Sequence, residues 1–503
     1  MILADQHHAG LMGCAGDQYG VQTPHIDGLA AEGVRFTNAY CQNPICTPSR
    51  VSILSGQYCQ NHGYYGLSGP VKPGLPNLFR HFKAAGYRTA AYGKLHLPNS
   101  PRNWIADDVD YFGDSYESAD GEVGKSDYLD DLTSLGLRDL EDSWRNYNSP
   151  YGSSLPNDAC PSQLPYEHTM ERWAERKATE FIAEDTSKPF CIQIALQRPH
   201  HPLIPQQEFW DMYPEDLPLP PTIDREPTGR PPHFQEMWKR FREMEWEQAK
   251  PGDTFHDSAR RAWRGTLACV TQMDDVVGRL LKFLRDHGLD DDTIVIYGSD
   301  HGAYHGIHGI QEKAPGICSD AVCRVPMIWR VPGLTPKGAV HDGLIENIDM
   351  APTLASLCGV EGFATTDGVD ITPQLTDENA EGKAVAVTEN PWSKAIRWGK
   401  WRYVHYPEAM FGGKNYDELY DMEADPDELT NLAQDEAHQP VVMEGRGKLL
   451  DWNATTRRLV NTQPGVKLTG EVMGKSTYPL ASDGFAPNSA QPKHREMPTR
   501  NYL

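Results

Sequence analysis

At 503 residues the chain is long enough for two domains and for a sizeable buried core. With 39% hydrophobic and 23% charged residues it has the composition of a soluble globular protein, and no apolar run reaches bilayer-spanning length. Its 47 Lys and Arg stand against 70 Asp and Glu, a net charge of −23. That excludes a nonspecific binder of nucleic acid or of an anionic membrane, so any anionic substrate must meet a small local cluster of basic groups.

The ten cysteines are scattered, without CxxC or paired Cys/His spacing, so neither a disulfide framework nor structural zinc is expected. Most read as small buried residues, their even number leaving a few bridges open to an exported protein. Before the first strand stands no charged n-region, apolar h-region or cleavage site. The expectation is a cytoplasmic protein as the chain stands, and a periplasmic or secreted one if its start has been trimmed.

Met1 to Ala4 reads as a short buried strand with Asp5 and Gln6 at its carboxyl end, where open α/β sheets bind ligands. Thr23 to Gly33 reads as a capped helix ended by glycine, and Val34 to Tyr40 as the next strand. That strand leads to Cys46-Thr47-Pro48-Ser49-Arg50, where Thr47 can cap a helix, Pro48 fits its first turn and Gly56 ends it. Cys46 then sits where backbone N–H groups point outward, an anion-holding position, with Arg50 one turn along. Leu75 to Ala85 has helical spacing, Tyr87 to Tyr92 is strand-like, and Lys94 and His96 follow.

Asn99 to Pro165 is irregular and reads as an insertion, not as framework. Helical periodicity returns over Glu167 to Glu184, and Pro189 to Leu196 is an apolar strand followed by His200 and His201. Pro205 to Pro251 reads as surface elaboration, and Ala259 to Asp286 as a long helix stopped by Gly288. Thr293 to Tyr297 is the clearest buried parallel strand, closed by Asp300 and His301, with His305, His308 and Lys313 in the loop beyond. Val325 to Val331 reads as a strand and Asp349 to Cys358 as a helix. After about residue 380 come short strands at Ala384 to Thr388, Lys394 to Trp398, Trp401 to His405 and Glu418 to Tyr420, then a helix near Pro440 to Thr455 and a turn-rich tail. The division expected is 1–380 and 381–503, the second a smaller α+β domain with an antiparallel sheet. No internal repeat is present.

Asp5/Gln6, Cys46/Arg50, Lys94/His96, His200 and Asp300/His301 thus stand at separate strand ends or adjoining loops, with Lys313 in the last loop. So many ionisable groups at the same edge of one sheet imply a converging site.

Cys46-Thr47-Pro48-Ser49-Arg50 resembles the signature of the type I, formylglycine-dependent sulfatases of the alkaline phosphatase superfamily. Thr23 to Tyr40, Gly93-Lys94-Leu95-His96, Pro199-His200-His201-Pro202, Ser299-Asp300-His301-Gly302, His308-Gly309 followed by Lys313, and Glu418-Leu419-Tyr420-Asp421 resemble further family segments, so the likeness covers most of the chain. It implies a large mixed, mostly parallel sheet sandwiched by helices, a smaller C-terminal antiparallel sheet, and a sulfuric ester hydrolase. It further implies that Asp5, Gln6, Asp300 and His301 hold one divalent cation beside a formylglycine made from Cys46 by a maturase. Calcium is the family expectation; Gln6 in place of a second Asp, and His301 where some members have Asn, admit manganese or magnesium.

In that scheme Lys94, Lys313 and Arg50 offset the sulfuryl charge, and the hydrated aldehyde attacks sulfur. Asp300 accepts a proton, His200 or Lys313 protonates the departing alcohol, and His96 deprotonates the second hydroxyl to release sulfate. His201, His62 and His305 are lesser candidates for lining the pocket. Ile307 and Gln311-Glu312 depart from the family pattern and leave the leaving-group preference open. The substrate class expected is a sulfated saccharide. The alternatives are a phosphonate monoester or phosphodiester hydrolase on the same scaffold and a noncatalytic glycan-binding relative.

Overall fold

The computed structural model describes residues 1–16, 19–67, 71–72, 74–98, 103–116, 126–141, 159–243, 254–313, 317–363 and 366–457. At its centre is a nine-stranded sheet. The strands are β1 (Ile2–Asp5), β2 (Val34–Tyr40), β3 (Arg88–Gly93), β4 (Tyr111–Asp114), β5 (Phe190–Pro199), β6 (Val295–Ser299), β7 (Arg324–Val325), β8 (Met327–Arg330) and β9 (Ala339–Glu346). Their order is β4-β3-β5-β1-β6-β8-β2-β7, with β9 pairing β2. β4, β3, β5, β1 and β6 are mutually parallel. β8 runs against both β6 and β2, so β2 and its parallel neighbour β9 point the same way as β1. The carboxyl ends of β1, β2, β3, β5 and β6 therefore share one edge.

The helices that flank the sheet are α1 (Pro24–Glu32), α2 (Cys46–Ser55), α3 (Leu78–Ala84), α4 (Met170–Glu184), α5 (Phe255–Asp286) and α6 (Met350–Leu357). Because successive strand residues point to opposite faces, one chain segment feeds two cores. Ile2, Ala4, Tyr92, Ile194 and Tyr297 pack with α1, α4 and α5. Leu3, Ala91, Ala195 and Ile296 pack with α2, α3 and α6 on the other side. Burial on both faces is why these strands read as continuous apolar runs, each fully buried Leu or Ile contributing roughly 1.5–3 kcal/mol. α5 starts at a capping box between Thr254 and Asp257 and runs for 32 residues, about 48 Å at 1.5 Å per residue.

The second sheet is antiparallel: β10 (Ala386–Glu389), β11 (Lys394–Trp398), β12 (Trp401–His405) and β13 (Glu418–Asp421). Val387, Ile396, Tyr403 and Leu419 pack on Val442, Leu449 and Trp452 of α7 (Gln439–Thr456). Ala386, Ala395 and Val404 lie instead against Tyr304, Val322 and Leu344 of the larger layer. Glu389 N donates to Gln42 O at 2.8 Å and Thr388 Oγ1 to Cys41 O at 2.6 Å. The small sheet thereby braces the chain just before Cys46.

Two expectations need correction, and one strand was not expected. Within Asn99 to Pro165 the structure has a framework strand, β4, on the outer edge beside β3, and a helix over Asp127–Ser134; the rest of that stretch lies partly outside the described residues, as does the tail after residue 457. Pro205 to Pro251 is more than surface elaboration: Phe234 and Phe241 are buried and the Arg230 guanidinium donates to Glu418 at 2.8 Å, tying this segment to β13. β9 was not expected because Ala339 to Glu346 alternates buried residues with the exposed Val340 and Asp342 and is continuously buried only over its last three positions. All ten cysteines are unbridged.

Candidate active site

Each converging group is delivered by a strand end, and the local backbone shows how. Gln6 follows β1 with φ of 70°, a left-handed conformation costing a non-glycine residue about 1–3 kcal/mol; its carbonyl accepts from His305 Nε2 at 2.9 Å, which holds the bend. At the end of β3, Gly93 has φ of 100°, and a Cβ there would lie 2.0 Å from Ala195 O, so only glycine lets the chain turn Lys94 inward. Cys46 opens α2, but Thr47 is not its cap. Ile45 has the extended N-cap conformation (φ −130°, ψ 140°), no side chain accepts there, and Thr47 is already helical. Gly56, with φ of 66°, ends the helix as expected.

The buried centre is a four-residue cluster. The ligand atoms of Asp5, Cys46, Asp300 and His301 lie within 4.8 Å of one another. Cys46 Sγ is 3.6 Å from Asp5 Oδ1 and 3.2 Å from His301 Nε2. Arg50 lies beneath, fully buried, with Nε donating to Asp300 Oδ2 at 2.8 Å, Nη2 to Asp5 Oδ2 at 3.1 Å and Nη1 to Lys94 O. Asp300 Oδ1 accepts from the backbone of His301 at 2.8 Å and of Gln6 at 3.2 Å. Ser49 Oγ donates to Asp300 O, and Asn347 Nδ2 donates to Ser299 O at 3.0 Å. Ser49, Asn347 and Glu312 belong to the site and were not singled out for it; the Ser49 contact follows from the signature spacing, whereas nothing local marks Asn347.

Lys94 Nζ is 2.9 Å from Asp5 Oδ2. Lys313 Nζ donates to Gln6 Oε1 at 2.7 Å and lies 3.4 Å from His200 Nε2. His200 Nδ1 donates to His201 O at 2.7 Å, and the two imidazoles stack at 4.2 Å. His96 packs on Tyr116, ring centroids 5.3 Å apart, and Lys94 Nζ lies 5.1 Å from the same Tyr116 ring. His62 is elsewhere: on the far side of α2 it pairs with Ser52 Oγ at 3.0 Å and accepts from Tyr64 N, a structural role.

The electrostatics follow from this crowding. Burial opposes ionisation of Asp5, yet Lys94, His200, Arg50 and His301 hold its carboxyl well below the usual range. Burial and Asp5 oppose ionisation of Cys46, but Lys313 and His301 draw its thiol down to about 6. His301 loses to burial and gains more from Asp300 and Cys46, rising to about 9. Burial, with Lys94 next, drives His200 down to about 3, so it is neutral at pH 7. Lys313 is raised despite burial by Cys46 and Glu312.

The donor set fits a divalent cation. Two carboxylates face one point, and His301 Nδ1 donates to Gly302 O at 2.7 Å, which leaves Nε2 as the ligand nitrogen. That arrangement, a backbone carbonyl fixing the tautomer of an inward-facing imidazole, is how metal-binding histidines are oriented.

Fold and site together define a hydrolase of anionic esters on an alkaline-phosphatase-like scaffold. The family model described as Sulfatase matches residues 1–360, and that described as N-sulphoglucosamine sulphohydrolase, C-terminal, matches residues 306–455. The chain belongs to the sulfatase family and is a sulfatase enzyme. It is 28% identical to choline-sulfatase of Rhizobium meliloti, over 82% of this chain and 78% of that protein. It is 26% identical to N-acetylglucosamine-6-O-sulfatase of Bacteroides thetaiotaomicron, over 86% and 81%. Among solved structures, the phosphonate monoester hydrolase of Agrobacterium radiobacter shares the fold with a TM-score of 0.73 at 21% identity, covering 93% of this chain and 97% of that one.

Proposed function

We propose that this sulfatase cleaves the sulfate monoester of a saccharide, with residue 46 acting as formylglycine beside one divalent cation held by Asp5, Gln6, Asp300 and His301. The observation that carries the reading is the buried Asp5–Cys46–Asp300–His301 cluster with two lysines at its rim. Calcium remains the family expectation, while an imidazole and an amide among the donors suit manganese or magnesium too. When bound, the cation supplies Lewis-acid charge at the ester oxygens. Matured and hydrated, residue 46 offers one hydroxyl to attack sulfur and a second whose deprotonation expels sulfate.

The remaining steps fall to this chain's own side chains. Lys94 and Lys313 meet the sulfuryl oxygens and orient the group for in-line attack. Arg50 holds Asp5 and Asp300 at their working separation without touching the ester. Asp300 accepts the proton of the attacking hydroxyl. His200, neutral and with Nδ1–H fixed on His201 O, turns the Nε2 lone pair to Lys313, and the proton between them serves the departing alcohol. His96 takes the last proton. In the same reading residues 1–380 form the catalytic domain and 381–503 the smaller one.

The test is turnover of aryl sulfate and of sulfated monosaccharides by the parent and by Cys46→Ala, which is expected to lose about a thousandfold or more in kcat/KM. The mass of the peptide ending at Arg50 is expected to show the aldehyde in protein made with a maturase. Retained activity in Cys46→Ala overturns the mechanism. A second reading, phosphonate monoester or phosphodiester hydrolysis, draws support from the Gln6 and His301 donor types; a preference for aryl phosphodiester over aryl sulfate by orders of magnitude selects it.

A further inference from the structure

Glu312 is a side chain that this chemistry does not use. It follows Gln311 in the loop beyond β6, and its carboxylate meets three neighbours at the rim of the cluster. Gln6 Nε2 donates to Glu312 Oε1 at 3.2 Å. His201 Nδ1 lies against the same oxygen. Lys313 N donates to Oε2 at 3.0 Å, and Lys313 Nζ is 3.6 Å away. Two facts about Gln6 give this contact meaning. Its side chain is neutral at a position beside Asp5, and a primary amide presents two chemically opposite ends that rotate into each other's place.

We infer that Glu312 is a positioning residue for the cation: by taking the Gln6 amide nitrogen as its donor, it fixes Gln6 Oε1 toward Lys313 and leaves the oxygen as the end offered to the cation. An inverted amide would aim Nε2 at the cation and leave Oε1 against the carboxylate, repulsive on both counts. Glu312 also returns, one residue removed, the negative charge that a second aspartate at position 6 would have carried. The inference rests on the proposed cation site and adds to it an outer carboxylate that sets which atom of Gln6 is the ligand.

The rival reading of the same geometry is a second cation held by His200, His201 and Glu312, whose ligand atoms lie within 4.8 Å of one another. The adjacent ammonium group argues against it: Lys313 Nζ is 3.4 Å from His200 Nε2, and His200 Nδ1 already donates to His201 O.

The experiment measures binding of Mn2+ and Ca2+ alone, by calorimetry and by loss of the free Mn2+ resonance signal, to the full chain carrying unmodified Cys46. The parent is expected to bind one ion. Glu312→Gln is expected to weaken that binding tenfold to a hundredfold at unchanged stoichiometry, since outer carboxylates of metal sites carry effects of that size. Gln6→Asp combined with Glu312→Gln, which moves the carboxylate into the ligand shell, is expected to recover most of the affinity that Glu312→Gln loses. Far-ultraviolet dichroism and thermal melting of the metal-free variants check folding. Unchanged affinity in Glu312→Gln, a loss that the double variant fails to recover, or two ions in the parent with one removed by Glu312→Gln overturns the inference. A parent that binds no ion overturns the cation site itself.

Discussion

Arg50 is 0% exposed and has no solvent to screen its charge. Its partners, Asp5 and Asp300, are equally buried, and removing the guanidinium would leave Asp300 without its arginine and Asp5 with Lys94 alone beside it. Breaking a buried pair in this way costs about 3–5 kcal/mol. Arg50→Ala is therefore expected to lower unfolding free energy by that amount in metal-free protein, measured in urea, and Arg50→Lys to recover only part of it, because an ammonium cannot bridge both carboxylates and Lys94 O together. A loss below 1 kcal/mol would show that the two carboxylates are not both ionised. The signature sets Arg50 one helical turn beyond Cys46, but only the fold shows that its guanidinium meets the carboxylates of Asp5 and Asp300.

The β12–β13 pair and α7 are joined through one carboxylate. Asp417 accepts from Tyr403 Oη, His405 Nδ1, Tyr406 N and both Nε and Nη2 of Arg446. Burial resists its ionisation, but the bonds from His405, Tyr403 and Arg446 prevail and hold it at about 2 against an ordinary 3.8. A carboxyl lowered on folding stabilises the native state above its unfolded value and loses that contribution as the pH falls through the folded one. About 2 kcal/mol is thus expected to disappear between pH 4 and pH 2. Asp417→Asn is expected to be less stable by a similar amount at pH 7 and to lack that acid limb, read by unfolding at stepped pH. A parallel acid limb in the variant would assign it to other carboxyls. The strands joined here were legible in the sequence, since Trp401 to His405 and Glu418 to Tyr420 are short stretches carrying aromatic or β-branched residues. β9 and β4 were not: one alternates buried and exposed residues over its first four positions, and the other sits on an edge with an exposed Tyr111, so neither has the long apolar run that marks a buried strand.

Across the full chain, Asp5 and Asp300 are 295 positions apart in sequence, counting from 5 to 300, yet meet one guanidinium. That convergence was legible because ionisable groups recur at the ends of apolar runs; the outer contacts of Glu312 and Asn347 were not, because they depend on which loops the sheet order brings together. A site drawn from distant segments couples ion binding to global stability. At a hundredfold excess over its dissociation constant a single bound cation adds about 2.7 kcal/mol. The melting temperature is expected to rise on adding Ca2+ or Mn2+, to return on chelation, and to stay unmoved in Asp300→Asn; an equal rise in that variant would place the ion elsewhere.

The depth of Cys46 sets an order of events in time. Its side chain is 1% exposed, roofed by residues near position 300 that a ribosome delivers long after position 46. On the proposed formylglycine reading, an enzyme that oxidises this thiol has to reach it before β6 docks, because Asn43, Pro44 and Cys46 are buried in the fold and Ile45 is only part-exposed. Folded, unmodified protein offered a maturase is expected to keep its thiol, while an unfolded peptide spanning 41–56 is converted; mass spectrometry distinguishes the two. On that reading maturation and folding compete for the same nascent segment, and the speed of one limits the yield of the other.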